Sequence, residues 1–349
     1  MPGPEIATVR ARTILTPAVG YVSGGYTHTL NPYQGCGFGA DLTDLSDAPP
    51  GDGDAGGRGD RGCPYCYVRR MPLALFGRGP WGSWVTAKVN AADLVREEGR
   101  RGRLALARIF LGSATDPYQF VAENRFRLTR AVLEALVDYP PAHVTVQTRS
   151  PLVERDFDLL VALGSRVRLS MTIETDDEAV RRAITPTTPP AARRLESLRR
   201  ARALGIETQA AIAPVLPCRP ERFADLVAEV ADRVYLDSLW VGDGARGARS
   251  AALGMPRRLR AIGRGDWVSR DAHLPLYHAL VARMGEARVH AAEARTAQAQ
   301  AGGSRPSPTP SEAGGPQGPA RPAPARPEQF DFFTLDPRFA PRRDRQRGR

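Results

Sequence analysis

Short apolar runs alternate with amphipathic helical patterns along the middle of the chain, between residues 107 and 242. The runs predict strands over residues 107–117, 143–151, 166–175, 206–217 and 234–242, and the patterns between them predict helices over residues 122–139, 156–163, 191–205 and 221–233. Strand–helix units that repeat at this length indicate a parallel sheet with helices packed outside it. The periodicity fits an open doubly wound sheet and a partial or full barrel equally well.

Four of the predicted strands end in compact polar segments, which read GSATDP, QTRSP, TIETDD and APVLPCRP. In parallel sheets, ligands bind in the crevice at the carboxyl ends of the strands. We therefore expect these ends to form a polar mouth above an apolar barrel. Any chemistry is expected at that mouth.

The composition fits a soluble globular protein of one large domain or two ordinary ones, because the chain has 349 residues of which 42% are hydrophobic. No run of about 18 apolar residues predicts a membrane span, and residues 1–20 do not follow the pattern of an export signal. A cytoplasmic location is therefore expected. The formal net charge of +11 permits attraction to nucleic acid.

Three of the four cysteines lie close together in the sequence, at Cys36, Cys63 and Cys66. In a reducing compartment, a Cys-x-x-Cys pair more often marks a metal or redox site than a disulfide. Three interpretations remain open at this point. The thiols are unliganded loop cysteines, or they bind zinc with Cys218 or His28 as the fourth ligand, or they hold an iron–sulfur cluster that leaves one iron free for an outside ligand.

The segments NPYQGC and GCPYCYVRR, which carry these cysteines, resemble the signature of radical S-adenosylmethionine (SAM) enzymes, in the branch related to spore photoproduct lyase. Further segments resemble that branch in order, among them GSATDPYQF, TRSPLVERDFDLL and SMTIETDDEAV. The resemblance covers about residues 25–245. It implies an α/β fold, a partial (β/α)6 barrel similar to a TIM barrel, of the radical SAM type.

The resemblance also assigns roles to individual residues. It implies that Cys36, Cys63 and Cys66 hold a 4Fe–4S cluster whose free iron binds SAM. The remaining assignments are contacts to SAM: Tyr65 to the adenine, Ser113 and Thr115 to the methionine part, Arg149 to the carboxylate, and Ser170 and Thr172 to the ribose.

The reaction that the resemblance implies is reductive cleavage of SAM by an electron from an external one-electron reductant, followed by abstraction of hydrogen from a substrate. Family kinship, positive charge and a motif in the tail together favour nucleic acid, such as DNA in a repair-like reaction, as that substrate. The alternatives are a radical SAM enzyme that acts on a peptide or a small metabolite, and a zinc-binding nucleic-acid module without catalysis.

Two features depart from the family pattern. In the family, three residues usually lie between the first two cluster cysteines, whereas 26 residues lie between Cys36 and Cys63. Residues 40–61 are small, acidic and rich in Gly and Pro, which predicts a flexible insertion, and closing a longer loop costs only about 0.6 kcal/mol per doubling of length. Spore photoproduct lyase also carries a hydrogen-donating cysteine near the end of the second strand. This chain has none there, so Cys218 is the candidate hydrogen donor, and an ordinary loop cysteine is the alternative.

The sequence predicts five segments: an N-terminal extension (1–24), the barrel (25–245), a helical extension (246–299), a disordered linker (300–328) and a short tail (329–349). The linker is rich in Pro, Gly, Ala and Ser. In the tail, QFDFF at Gln329–Phe333 resembles the peptide by which bacterial DNA-processing proteins bind the sliding clamp. The alternative is that this segment folds back onto the barrel and covers apolar surface.

Overall fold

The computed structural model describes residues 4–38 and 62–291, apart from the side chain of Tyr21. The strands are β1 (Glu5–Val9), β2 (Leu15–Pro17), β3 (His28–Leu30), β4 (Tyr33–Cys36), β5 (Trp84–Lys88), β6 (Arg108–Leu111), β7 (His143–Thr148), β8 (Val167–Thr172), β9 (Glu207–Ile212), β10 (Arg233–Leu236) and β11 (Val289–Ala291). The α-helices are α1 (Pro72–Leu75), α2 (Ala91–Arg100), α3 (Phe120–Phe126), α4 (Leu128–Asp138), α5 (Phe157–Leu163), α6 (Glu178–Ile184), α7 (Ala191–Ala203), α8 (Pro220–Val230), α9 (Ala248–Ala252), α10 (Met255–Ala261) and α11 (Leu274–Met284).

Eight strands form one sheet in the order β2-β3-β6-β7-β8-β9-β10-β11. From β3 onward every neighbouring pair is parallel, and only β2 runs antiparallel, at one edge. The parallel strands follow one another in chain order without the reversal that defines a doubly wound sheet. This order is that of a barrel, and β2 and β11 are its two edges. The predicted α/β class with a parallel sheet is confirmed, and β11 adds a strand that the sequence did not indicate.

The two faces of the large sheet differ in polarity. On one face, Val144, Val146 and Leu169 join the helices in the main apolar core. On the other face, Gln147, Ser170 and Gln209 are adjacent in the strand register and form a polar row. The expectation of an apolar barrel was therefore wrong for the inner face. The period-2 alternation in HVTVQT and VRLSMT encodes this difference, because successive strand residues point to opposite faces.

A second, three-stranded sheet carries the first cysteine. It pairs β1 with β5 in parallel and β4 with β5 antiparallel, which places Cys36 opposite Trp84. Residues 1–24 contain β1 of this sheet and β2 of the large sheet. Both strands therefore pair with strands from later in the chain.

The predicted helices are found with small changes. The pattern over residues 122–139 forms two helices, α3 and α4, because Arg127 between them adopts a left-handed conformation with φ of 50°. Gly205 has φ of 78° just after α7, as expected for a glycine that ends a helix. Residues 246–291 contain α9, α10, α11 and β11.

Several predictions lie outside the described residues. These are the insertion over residues 40–61, the linker over 300–328, and the tail over 329–349 with its Gln329–Phe333 motif. Among the residues that the structure describes, no helix has the length and apolar character needed to cross a membrane.

Candidate functional site

The motif NPYQGC fixes the first cysteine through three of its residues. The Asn31 side chain donates to Ser113 Oγ at 3.0 Å and accepts from the Ala114 amide at 3.1 Å. The Tyr33 hydroxyl donates to the buried carboxylate of Glu123. Gly35 has φ of 82°, and a Cβ at this position would lie 2.4 Å from the Trp84 carbonyl oxygen, so only glycine fits beside Cys36.

A tight turn positions the other two cysteines. The Cys66 amide donates to the Cys63 carbonyl at 3.2 Å, and Cys66 directly precedes a 3-10 helix over Tyr67–Arg70. From that helix, Arg69 Nε donates back to the Cys63 carbonyl at 2.9 Å. These two bonds hold the Cys-Pro-Tyr-Cys segment in one compact turn.

The structure brings the three cysteines together. Cys36 and Cys66 pack against one apolar cluster that contains Trp81 and Trp84, and the three thiols lie within electrostatic range of one another. All are free thiols. Burial raises the pKa of each thiol, to about 11 for Cys66, and the neighbouring sulfurs raise the pKa of Cys36 further. A set of thiolates at this place therefore needs positive charge nearby.

Arg149 provides positive charge on one side of this group. Its guanidinium donates to the sulfur of Cys63 and lies 3.4 Å from the Glu174 carboxylate. Glu174 follows β8 and is only 1% exposed. Its carboxylate also pairs with the fully buried Arg194 at 2.7 Å and accepts from the Tyr65 hydroxyl at 2.7 Å. Glu174 thus connects both arginines to the cysteine turn.

The charges around Glu174 are unequal. Burial alone would raise the pKa of its carboxyl, but Arg194 and Arg149 outweigh burial and hold that pKa at about 2. The Glu174 carboxylate therefore faces the fully buried Arg194 and the half-buried Arg149, and Asp116 is a second carboxylate within electrostatic range of Arg149. Nε and Nη2 of Arg194 have no hydrogen-bond partner among the described residues, and such donors suit an anionic ligand.

The residues assigned to the methionine part of SAM lie in the loop after β6. Thr115 Oγ1 donates to the Tyr33 carbonyl at 3.0 Å, and the Tyr67 hydroxyl donates to the Ser113 carbonyl. Because Ser113 also accepts from Asn31, this loop is tied to both cysteine segments.

The residues assigned to the ribose lie on the inner face of the sheet. Gln209 Nε2 donates to Ser170 Oγ at 2.8 Å, and Gln147 Nε2 donates to Thr172 Oγ1 at 2.6 Å. Both β8 side chains are buried, and their hydroxyl oxygens point to the polar row rather than to the helices.

A family model described as the radical SAM superfamily matches residues 56–230, which is half of the chain. The chain belongs to the radical SAM superfamily. The matched range contains Cys63 and Cys66, whereas Cys36 lies before it. Membership implies SAM and an iron–sulfur cluster as the cofactors.

The chain is similar to curated proteins over part of its length. An uncharacterized protein of Methanocaldococcus jannaschii is 28% identical over 213 residues, which cover 61% of this chain and 68% of that protein. An uncharacterized protein of Acidianus two-tailed virus is 30% identical over 52% of this chain and 60% of its own length. An uncharacterized protein of Mycobacterium tuberculosis is 28% identical over 55% of this chain and 50% of its own length. The chain thus spans between half and about two thirds of these relatives.

Two radical SAM structures are also similar. The match with a variant of spore photoproduct lyase covers 66% of this chain and 61% of that protein's chain, at 13% identity and a TM-score of 0.47. The match with the SuiB protein of Streptococcus suis covers 51% of this chain and 36% of that protein's chain, at 14% identity and a TM-score of 0.35.

The three cysteines fit the iron–sulfur cluster that membership of the superfamily implies. Cysteine thiolates are the ligands of such clusters, and the three free thiols lie near one another and near Arg149.

The two residues considered as a fourth zinc ligand lie away from the group. Cys218 is 4% exposed in the main core, and its electrostatic neighbours are Asp176 and Arg264. Burial raises the pKa of its thiol to about 12. His28 begins β3, and its Nδ1 lies 2.8 Å from Thr27 Oγ1, at the opposite strand end from the cysteines. The role of Cys218 as a hydrogen donor stays a prediction.

Sequence reasoning did not single out Gln119, Glu174 and Arg194. Glu174 lies in the TIETDD segment, whose polar strand end did indicate the site as a whole. Arg194 lies on α7, and Gln119 lies directly before α3 at the end of the GSATDPYQF segment; their tertiary contacts show their place at the site.

Proposed function

We propose that this chain is a radical SAM enzyme that holds a 4Fe–4S cluster on Cys36, Cys63 and Cys66 and cleaves SAM reductively. One observation carries the proposal: three free thiols lie side by side next to Arg149, although 26 residues separate the first from the second. Incidental loop cysteines would have no reason to lie within electrostatic range of one another and of one arginine.

Cys36, Cys63 and Cys66 would hold the cluster, which, once reduced by an external one-electron donor, would supply the electron for cleavage of the sulfonium C–S bond of SAM and so for hydrogen abstraction from the substrate. The residues of the chain bind and orient SAM for this step. They must hold C5′ against one C–H bond of the substrate and keep water away.

Arg149 is suited to the SAM carboxylate because its planar guanidinium can present two parallel donors. Its salt bridge with Glu174 fixes the orientation of the guanidinium. The Tyr65 hydroxyl is bound to the same carboxylate, so its ring is held in one position for the adenine. Ser170 and Thr172 have hydroxyl groups on the inner face for the ribose, and the Ser113–Thr115 loop lies beside the cysteines for the methionine part.

The inner face of the sheet favours a polar substrate. Gln147, Gln209 and Thr145 line it, and amide and hydroxyl groups recognise hydrogen-bonding partners rather than hydrocarbon. Together with the net charge of +11, this supports nucleic acid as the substrate, ahead of a small metabolite or a peptide. The clamp-binding role of Gln329–Phe333 and the cytoplasmic location stay predictions from the sequence.

The test is anaerobic reconstitution with iron and sulfide, reduction in the presence of SAM, and measurement of 5′-deoxyadenosine. We expect a brown protein that forms 5′-deoxyadenosine, and a Cys66→Ala variant that loses both iron and product. Cys218→Ala is the matched control and should keep the iron content of the wild type. A colourless wild-type protein that forms no 5′-deoxyadenosine would contradict the proposal.

A further inference from the structure

Helix α10 and the turn after it carry a concentration of positive charge. Residues 245–265 contain six arginines and neither aspartate nor glutamate. Four of these arginines lie on α10 or directly after it, and we call them the α10 arginine surface: Arg257, Arg258, Arg260 and Arg264. Arg257 and Arg260 are exposed, and Arg258 and Arg264 are half-buried.

These four arginines lack the carboxylate partners that the arginines of α7 have. None of them forms an ion pair within the described part of the chain, and Nε of Arg258 and Nε of Arg264 are buried there without a hydrogen-bond partner. The exposed arginines of α7 differ. Arg199 pairs with Glu196 and Glu229, and Arg200 pairs with Glu196 and Glu154. No carboxylate in the described part of the chain therefore neutralises the α10 arginine surface, and its positive charge can attract an external anion.

The position of α10 relates this charge to the candidate site. Its buried face contributes Met255 and Leu259 to the same apolar cluster that contains Cys63 and Tyr65. Arg258 is within electrostatic range of Arg69, whose guanidinium donates to the Cys63 carbonyl. One face of this helix thus joins the apolar cluster of the cysteine turn, and its other faces present arginines.

We propose that the α10 arginine surface binds the phosphodiester backbone of a nucleic-acid substrate beside the SAM site; this inference rests on the function proposed above. A nucleic-acid strand carries one phosphate per nucleotide, so several arginines on one short helix can each pair with a phosphate and release counterions. Backbone contacts of this kind position a strand without reading its sequence. They would place one nucleotide at the mouth.

The side of the cysteine group on which α10 lies favours a substrate over an electron-donor protein. α10 shares an apolar cluster with Cys63 and Tyr65, which connect through Arg149 and Glu174 to the end of β8. Cys36 packs toward the Trp81 and Trp84 cluster, and Cys66 packs against both clusters. A strand bound on α10 therefore lies on the side where hydrogen abstraction would occur.

The test measures binding of the full-length reconstituted protein to fluorescein-labelled DNA, as a single strand and as a duplex of the same length, by anisotropy over a range of salt concentrations. The triple variant Arg257→Gln/Arg258→Gln/Arg260→Gln is compared with the triple variant Arg199→Gln/Arg200→Gln/Arg202→Gln on α7, which removes the same charge. We expect the α10 variant to bind at least about tenfold more weakly, with a salt slope smaller by about 2–3. The α7 variant should stay within about twofold of the wild type.

A third variant, with lysine at the same three α10 positions, should keep most of the salt slope because lysine also neutralises phosphates. Equal binding by the α10 and α7 glutamine variants would overturn the inference. So would a result in which DNA binding is unchanged and only electron transfer from an acidic donor protein slows in the α10 variant, since the surface would then serve a protein. Failure of the proposed function would show separately, as no 5′-deoxyadenosine from the wild type.

Discussion

Gln119 is the residue that ties the first cysteine to the body of the fold. Its side chain is fully buried directly before α3. Oε1 accepts from the Gly37 amide at 2.6 Å, and Nε2 donates to the Gly35 carbonyl at 3.4 Å. Because these two glycines flank Cys36, one side chain holds the backbone on both sides of the cysteine. Gln119 lies in the GSATDPYQF segment, but that segment does not reveal its bonds to the two glycines, because more than 80 residues separate the partners.

Replacing Gln119→Met keeps the size of the side chain and removes both bonds. Loss of the bond to the Gly37 amide leaves a buried donor unpaired, which costs about 1–3 kcal/mol of the free energy of unfolding. We also expect the reconstituted protein to lose iron to a chelator about 10–100-fold more readily, as is usual when a residue that supports metal ligands is removed. Iron release and the rate of alkylation of Cys36 in the metal-free protein measure the effect.

The control for this prediction is Asn90→Leu. The Asn90 amide forms the same kind of clamp on a backbone away from the cysteines, since it accepts from the Ala11 amide at 2.8 Å and donates to the Ala11 carbonyl at 2.9 Å. Its loss should lower stability by a similar amount and leave iron release unchanged. If both variants release iron equally, Gln119 acts only through general stability.

At the scale of elements, the sequence predicts the strands that belong to repeating strand–helix units. β7, β8 and β9 each have six residues, and β6 and β10, with four residues each, continue the same alternation. β3 and β4, with three and four residues, lie outside these units and were not predicted. Their place is set by pairing with β6 and β5, which lie far along the chain.

The inner face of the large sheet also predicts a pH effect on stability. His143 on β7 is 6% exposed. Four charged side chains from neighbouring strands lie within electrostatic range of it: Arg108 (β6), Arg168 (β8), Glu207 (β9) and Arg233 (β10). Burial, aided by the three arginines, lowers the pKa of His143 from 6.5 to about 4. Below about pH 6.5 the unfolded chain therefore takes up a proton that the folded chain does not, and the folded state loses stability as the pH falls toward 4.

A His143→Gln variant should lose less stability than the wild type when the pH falls from 7 to 5, by roughly 1–2 kcal/mol. Urea unfolding of both proteins at the two pH values measures this difference. His278→Gln, at an exposed position on α11, is the control and should follow the wild type. If the free energy of unfolding depends on pH equally in the His143 variant and the wild type, then His143 takes up its proton between pH 7 and 5 in the folded state as it does in the unfolded chain.

At the scale of the whole molecule, the sequence motif identified the three cysteines, but the way in which they meet is a tertiary property. Cys36 is held through β4, β5 and α3, while Cys63 and Cys66 are held by their own turn and Arg69. The charged group of Glu174 and Arg194 comes from a strand end and a helix that lie 20 residues apart. Periodicity and motif spacing do not report such pairings, because each partner is locally ordinary.

This arrangement predicts that the residues between Cys36 and Cys63 serve mainly to connect two independently anchored segments. We expect a variant in which residues 40–61 are replaced by a Gly/Ser linker of half the length to keep its iron content. Its free energy of unfolding should match the wild type or exceed it by about 0.6 kcal/mol, because a shorter loop costs less entropy to close. A Gly/Ser linker of the original length separates the effect of composition from that of length. If both linkers keep the fold, judged by circular dichroism, but fail to hold iron, then side chains between residues 40 and 61 contribute to the cluster site, and the anchors on Cys36, Cys63 and Cys66 are not sufficient.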